Sequence, residues 1–161
     1  MTDPLRLQNN SIFDVLVADH NKHRLLLEKI ENNLKAVEVK DWVNEFSIDA
    51  KAHASAEEQA LYSILMQNPD LTDLTRHSVA EHKALEDLMD ELYDLEPFNE
   101  QWNQKFYELK KKYLHHITEE EKEVFPAAMT QLSLAEKNQM GKKFKSRKPI
   151  EKNTASLGEE E

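Results

Sequence analysis

Cysteine is absent from the 161 residues of the chain. Disulfide bonds and thiolate metal sites are therefore excluded, and a reducing compartment is compatible with the composition. No apolar run approaches the ~18 residues that are needed to cross a bilayer, and the first residues lack the apolar segment of a signal peptide. We therefore expect a cytoplasmic protein that has no membrane as a partner.

Glycine and proline are scarce, with two and five residues respectively. Leucine, glutamate, lysine and alanine abound, which is typical of a helical protein, and the length suits one domain with a buried core. The formal net charge of −10 argues against nucleic acid as a partner, although residues 142–148 form a local basic stretch. The sequence identifies no protein partner.

Four long segments with a helical period of apolar residues are separated by short breaks. The predicted helices cover about residues 11–39, 41–67, 70–96 and 97–131. Ser11 is a candidate N-terminal cap, and Asn68-Pro69 marks the break before the third helix. Pro126 is expected to kink the end of the fourth helix. Because short connections join antiparallel neighbours, we predict an all-α fold, an up-down-up-down four-helix bundle.

A short fifth helix is predicted after the bundle. Ser133 and Glu136 have the spacing of a capping box, in which each side chain bonds the backbone N–H of the other residue, and this helix is expected to end near residue 144. Residues 146–161 lack periodicity and are predicted to be a disordered tail. The expected organisation is one domain, 1–145, followed by that tail.

A repeat in the chain carries the candidate site. The pattern His-x3-Glu-Glu-x2-apolar-aromatic occurs over His53–Tyr62 and recurs, 63 positions later, over His116–Phe125. A second related pair, His20 and His82, lies 62 positions apart. On a helix, His and Glu four positions apart project side by side from one face. Six polar side chains thus fall on the inward stripes of the four helices: His20, His53, Glu57, His82, His116 and Glu120.

Four imidazoles and two carboxylates that converge in a bundle core form a ligand set for two metal ions. A single histidine on an apolar face is more often a hydrogen-bonded core residue than a ligand, and a metal-free bundle with a structural polar core is a further alternative. Burying six polar groups is costly unless each is paired or bound to metal, so the set predicts a metal site. Iron, manganese and zinc all suit these ligands. No motif in the sequence supplies a proton relay or a pocket for an organic substrate.

The other three histidines are interpreted separately. His23 lies on the inward stripe one turn after His20, and it is either a fifth imidazole ligand or a structural residue. His77 lies five positions before His82, which turns it about 140° away on an α-helix. A π-bulge could bring His77 inward, but a surface position is favoured. His115 has charged neighbours at helical spacing and is predicted to be at the surface.

Carboxylates adjacent to the six residues could hold an imidazole N–H or could simply be solvated. Glu58 and Glu121 follow the two motif glutamates, and solvation is favoured for Glu121 because charged residues surround it. Asp19 and Glu81 precede His20 and His82 and invite the same interpretation. The aromatic residues that end the two motifs are predicted to form walls of the site.

These residues make the chain similar to the haemerythrin-like, HHE cation-binding family over about residues 11–131. The family pattern is His on the first helix, His-x3-Glu on the second, His on the third and His-x3-Glu on the fourth, and the chain matches it at each helix. The resemblance implies a non-haem di-iron centre, with Glu57 and Glu120 bridging two iron ions and imidazoles completing the ligand shells.

The resemblance also sets the expected function. Members of the family bind oxygen reversibly, sense oxygen or iron, handle nitric oxide or repair iron–sulfur clusters. Oxygen carriers have His-x3-His on the third helix, whereas this chain has His77 and His82 at another spacing, and cluster-repair members carry a cysteine domain. We therefore expect a di-iron protein that binds or senses oxygen, nitric oxide, peroxide or iron. The alternative is a di-iron oxidoreductase that consumes oxygen or peroxide.

Overall fold

A computed structural model describes residues 11–160, with side chains placed through residue 156. All regular elements in this range are helical, and they follow one another as α1 (Ile12–Glu31), α2 (Val39–Glu57), π1 (Glu58–Tyr62), α3 (Ser63–Leu65), α4 (Thr72–Tyr93), α5 (Glu100–Glu119), π2 (Glu120–Val124), α6 (Phe125–Met129) and α7 (Leu134–Glu160). Elements α2, π1 and α3 form one continuous helix, as do α5, π2 and α6. The predicted helical bundle is thus confirmed.

The four long helices contact each other in a ring, in which α1 meets α2, α2 meets α4, α4 meets α5 and α5 meets α1. Helix α7 packs across α1 and α2. None of the helices in the described range has both the length and the apolar character that a membrane crossing requires.

Two apolar clusters fill the bundle, one towards each end. The first includes Leu27, Phe46 and Trp102, and the second includes Leu16 and Phe125. The six polar residues lie near the boundary between the two clusters, with Ala50 of the first cluster before His53 and Val124 of the second cluster after Glu120. The candidate site therefore sits in the middle of the bundle, where apolar side chains close it off at both ends.

Two predicted caps are confirmed. The Ser11 hydroxyl accepts a hydrogen bond from the backbone N–H of Phe13 at 3.3 Å. Ser133 and Glu136 form the reciprocal capping box, with distances of 2.9 and 3.1 Å. Both caps satisfy backbone N–H groups that a helix leaves unpaired at its first turn.

The first helix is shorter than predicted. The sequence predicted a helix to about residue 39, but α1 ends at Glu31, and Val37 is 87% exposed. The side-chain amide of Asn33 donates to the Lys29 carbonyl at 2.7 Å, a local bond that competes with continuation of the helix.

The predicted end of the fifth helix and the predicted disordered tail are wrong for the described residues. Helix α7 runs on through Pro149 to Glu160. Polar contacts dock this stretch on the bundle: Lys148 Nζ lies 2.7 Å from Asp19 Oδ2, and Gln59 donates to Glu151 at 2.8 Å. Because these contacts are ionic and polar, the residues that make them do not produce a helical period of apolar residues in the sequence.

Candidate metal centre

The structure brings all six predicted residues together in the middle of the bundle. They form two groups of three in which one nitrogen or oxygen atom of each residue lies within 4.8 Å of the others, His20 with His53 and Glu57, and His82 with His116 and Glu120. Each of the six residues is at most 5% exposed. Each group draws its members from two neighbouring helices of the ring.

The two carboxylates link the groups. Glu57 Oε2 lies 3.9 Å from His53 Nε2 in its own group, and Glu57 Oε1 lies 3.2 Å from His82 Nε2 in the other. Glu120 repeats this arrangement, since its Oε1 lies 2.8 Å from His116 Nε2 and 3.7 Å from His20 Nε2. Each carboxylate is therefore positioned to contact ions held in both groups.

Several atoms at the centre of the site are buried and have no hydrogen bond among the described residues: His20 Nε2, His53 Nε2, His116 Nε2, both carboxylate oxygens of Glu57, and Glu120 Oε1. Buried polar atoms rarely remain unpaired, because each loses its bonds to water on folding. Imidazole nitrogen and carboxylate oxygen are donors that iron, manganese and zinc accept. The donor set thus fits metal ions between the two groups.

The other ring nitrogen of each imidazole faces a carboxylate, with Nδ1–oxygen distances of 2.7 Å for His20–Glu121, 2.9 Å for His53–Asp19, 3.2 Å for His82–Glu58 and 2.9 Å for His116–Glu81. A carboxylate accepts the Nδ1–H, which fixes the tautomer that leaves Nε2 free to bind metal. The preference for a solvated Glu121 was wrong, since this residue holds His20 and is only 24% exposed.

Electrostatic effects differ between the two motif glutamates. Burial and the neighbouring Glu120 raise the pKa of Glu57 well above its usual range. Burial also opposes ionisation of Glu120, but His116 holds the pKa of Glu120 well below its usual range. Burial lowers the pKa of His53 to about 3, with Asp19 opposing the shift. Without metal, the protonated form is therefore favoured for Glu57 and the ionised form for Glu120.

Both motifs contain a π-helical turn, which the sequence did not predict. Segment π1 begins directly after Glu57, and π2 begins at Glu120. Proline does not explain these turns, because a proline follows only one of them. Pro126 lies in the first turn of α6, directly after π2, whereas Ser63 follows π1. The kink expected at Pro126 is instead a π-bulge that precedes it. Such bulges are frequent at functional sites, where they redirect side chains.

The aromatic residues that end the motifs are walls of the site, as predicted. The Tyr62 ring stacks on His82 with centroids 5.7 Å apart, and the Phe125 ring stacks on His20 at 5.9 Å. The repeat is asymmetric here, because the Tyr62 hydroxyl donates a hydrogen bond to Glu120, whereas Phe125 has no hydroxyl. Burial and Glu120 raise the pKa of Tyr62 well above its usual range, so the proton stays on the phenol. Sequence reasoning missed this hydroxyl, although the tyrosine in the first motif signals it.

His23 is not available as a fifth ligand. Its Nδ1 bonds the Tyr113 hydroxyl, and its Nε2 lies 2.6 Å from Asp49 Oδ2, so both ring nitrogens are occupied. His77 and His115 are at the surface as predicted, with side chains 55% and 71% exposed, and α4 continues without a π-bulge through His77.

A cavity of about 10 Å³ lies beside the centre. His53, His82 and His116 line it on the polar side, and Ala54 and Ile117 are among the residues on the apolar side. This volume is close to that of one water-sized probe. The cavity can therefore take about one water-sized molecule.

Comparison with known proteins supports a cation-binding role. The family model "Hemerythrin HHE cation binding domain" matches residues 11–128. A protein from Nostoc sp. (strain PCC 7120 / SAG 25.82 / UTEX 2576) described as "DNA nickase" is 25% identical over 141 residues, which are 88% of this chain and 40% of that protein. The chain thus spans about two-fifths of the length of this curated relative. No solved structure shows significant similarity to the chain.

Proposed function

The chain belongs to the haemerythrin HHE cation-binding family, and from this premise we propose that it holds two iron ions and binds or senses a small ligand such as oxygen, nitric oxide or peroxide, or iron itself. One observation carries the proposal. Glu57 and Glu120 each lie between imidazoles of both groups, and the atoms that face one another there are buried without hydrogen bonds.

In this proposal the six residues divide into two ligand sets that share their carboxylates. His20 and His53 hold one ion, His82 and His116 hold the other, and the two motif glutamates span both. Two carboxylates supply two negative charges, which offset part of the charge of a pair of divalent ions in a buried site. When bound, such a pair supplies redox chemistry and open coordination positions for a small ligand.

The surrounding residues would control what reaches the ions. The two apolar clusters keep bulk water out, and the small cavity beside His53 and His82 has room for about one water-sized molecule. Carboxylates on the four Nδ1 atoms hold the imidazoles in place, so that little reorganisation is needed when metal binds. This arrangement suits selection of a ligand by size.

The second candidate function is an oxidoreductase that consumes oxygen or peroxide at the same site. The Tyr62 hydroxyl favours it, because this phenol holds a proton inside the buried site and donates it to a hydrogen bond with Glu120. Reduction of oxygen or peroxide places negative charge in the site, and a neutral hydroxyl beside the metal ligands can stabilise that charge as a hydrogen-bond donor.

Peroxide treatment of the iron-loaded protein would separate the two functions. A binding or sensing protein should give a spectral change that reaches a plateau once its sites are filled, without continued consumption of peroxide. An oxidoreductase should consume many equivalents in the presence of a reductant, and Tyr62→Phe should slow that consumption. Tyr107→Phe, on an exposed residue, is the matched control. A chain that binds no iron at all would contradict both functions.

A further inference from the structure

A second cluster of possible metal ligands lies at the surface, where α4 meets α5. His77 Nε2 is 3.2 Å from Glu119 Oε1 and 3.5 Å from Glu81 Oε2. His115 Nε2 lies 3.2 Å from the other Glu119 oxygen. One atom each from His77, Glu81 and Glu119 lies within 4.8 Å of the others. One imidazole and two carboxylates thus converge at one point on the surface, and the His115 imidazole lies beside Glu119.

The spacing of these atoms suits a metal ion. Zinc binds imidazole nitrogen and carboxylate oxygen at about 2.0–2.2 Å, so neighbouring ligand atoms of a tetrahedral site are separated by about 3.3–3.5 Å. His77 Nε2 lies 3.2 Å from a Glu119 oxygen and 3.5 Å from a Glu81 oxygen, which is close to these separations. An ion could therefore bind between His77, Glu81 and Glu119 with small side-chain movements, with water as a further ligand.

Glu81 connects this cluster to the buried centre. Its Oε1 lies 2.9 Å from His116 Nδ1, and its Oε2 faces His77. The cluster and the buried centre thus share one carboxylate. Glu81 is 23% exposed and His116 only 3%, so the carboxylate stands at the boundary between solvent and the site.

At two of the other three corners of the centre, a cation contacts the carboxylate that holds the imidazole. The Asp19 carboxylate, which holds His53, is bonded by Lys148. Glu121, which holds His20, is bonded by Arg24 at 3.0 Å. A lysine or an arginine beside the carboxylate repels an approaching divalent cation. Glu81 instead faces an imidazole and a further carboxylate, which attract one.

We propose that His77, Glu81 and Glu119 form a surface site for a divalent cation, with His115 supporting Glu119, and that ions pass from this site through Glu81 to the buried centre. The six central residues are almost completely buried, so an incoming ion must pass a partly exposed side chain. The ion moves without change of oxidation state and exchanges the surface ligands for His116 and Glu120. Passage to the centre depends on the proposed function, whereas surface binding does not.

The surface site is tested with zinc on the full-length, iron-loaded chain. Isothermal titration and elemental analysis should find one zinc ion per chain in addition to the iron. His77→Ala and Glu119→Gln should each weaken this zinc binding at least about tenfold. The control Glu123→Gln, on an exposed glutamate, should leave it unchanged. Equal zinc binding by the parent and by His77→Ala would contradict the surface site and would mean that its contacts are ordinary ion pairs.

The same titration on metal-free protein distinguishes failure of the surface site from failure of the buried centre to bind iron. If the chain takes up no iron, the proposed function fails, but His77→Ala should still bind one zinc ion fewer than the parent. If the chain takes up iron while His77→Ala and the parent bind the same amount of zinc, the surface site fails and the proposed function stands.

Passage through Glu81 is tested by the rate of anaerobic iron uptake at limiting ferrous ion. His77→Ala and Glu119→Gln should slow uptake at least about tenfold and reach the same final iron content as the parent. Uptake at the parental rate in both variants would show that ions reach the centre by another route.

Discussion

Lys148 of α7 donates a hydrogen bond of 2.7 Å to Oδ2 of Asp19 on α1, the same oxygen that lies 2.9 Å from His53 Nδ1. Burial opposes ionisation of Asp19, but His53 and Lys148 lower its pKa to about 2. The Asp19 carboxylate is therefore ionised at neutral pH. Helix α7 is thus connected to His53 of the candidate centre through the side chains of Lys148 and Asp19.

Replacing Lys148 with Met should weaken metal binding by about tenfold to a hundredfold, the usual cost of disturbing a partner of a metal-bound histidine. The methionine keeps the apolar stem and removes the charge that orients Asp19. Competition with a chelator measures the affinity, and the ¹⁵N shifts of His53 in metal-free protein report its tautomer. Lys142→Met, on an exposed residue of the same helix, is the control. Unchanged affinity and unchanged His53 shifts would show that α7 has no influence on the site.

Asp49 should contribute to stability in a pH-dependent way. It is 1% exposed, and its neighbours include His23, Lys148 and Lys22. Burial raises its pKa, but the hydrogen bond with His23 and the charge and hydrogen bond of Lys148 outweigh burial and hold the pKa well below its usual range. Since the folded-state pKa is depressed, the stabilisation is present above the unfolded value of about 3.9 and is lost as pH falls below it.

Asp49→Asn should therefore lower the free energy of unfolding at pH 7 by about 3 kcal/mol, because it breaks a buried charge pair. The difference from the parent should narrow as pH falls from 5 to 3, since the Asp49 carboxylate of the unfolded parent takes up a proton while that of the folded parent stays ionised. Urea denaturation at several pH values measures this effect. Asp87→Asn, which removes the exposed pair with Lys83, should change stability by less than about 1 kcal/mol. A difference in the free energy of unfolding between Asp49→Asn and the parent that does not change with pH would contradict the depressed pKa of Asp49.

Tyr62→Phe should keep the fold, because phenylalanine occupies the equivalent position of the other motif at Phe125. Loss of the hydroxyl leaves a buried oxygen of Glu120 without its donor, which should cost about 1–3 kcal/mol in the metal-free protein. Iron loading should recover much of this loss, since the oxygen then contacts an ion. Thermal melts of metal-free and loaded protein provide the measurement. An equal loss in both states would mean that the hydroxyl has no relation to the metal site.

Much of the site could be predicted from sequence because it depends on which face of a helix a residue occupies. Spacing of three and four residues placed all six side chains on inward stripes, and the repeat indicated that they meet at one level. Contacts across helices were harder to predict. The contact of Glu121 with His20 depends on how closely helix α1 packs against the helix that carries Glu121. The period of apolar residues does not encode that packing.

Other features were missed for different physical reasons. The π-bulges after Glu57 and Glu120 are local changes in hydrogen bonding that leave no apolar signature. Helix α7 beyond Phe144 is held by polar contacts such as Lys148 with Asp19, and a composition rich in charge indicates disorder when such partners are unknown. Whether residues 1–145 form one domain by themselves remains a prediction.

Metal should also stabilise the fold. The metal-free core contains unpaired buried atoms, so part of the free energy of metal binding is free energy of folding. Carboxylates and imidazoles must lose protons to bind metal, so acidification favours the metal-free state. We predict a higher melting temperature with iron than after chelation, and a gap that shrinks between pH 7.5 and 5.5. Equal melting temperatures at pH 7.5, with iron shown to be bound, would mean that the polar core is stable without its metals.

Iron content is the most direct measure of the central claim. Anaerobic titration of the parent with ferrous ion, followed by optical spectroscopy and elemental analysis, should end at two irons per chain. Glu120→Ala should lose most of the bound metal and the spectrum of a bridged pair, because it removes a carboxylate that spans both groups, whereas the control Glu123→Ala should match the parent. A Glu120→Ala protein that keeps two irons with an unchanged spectrum would contradict the account.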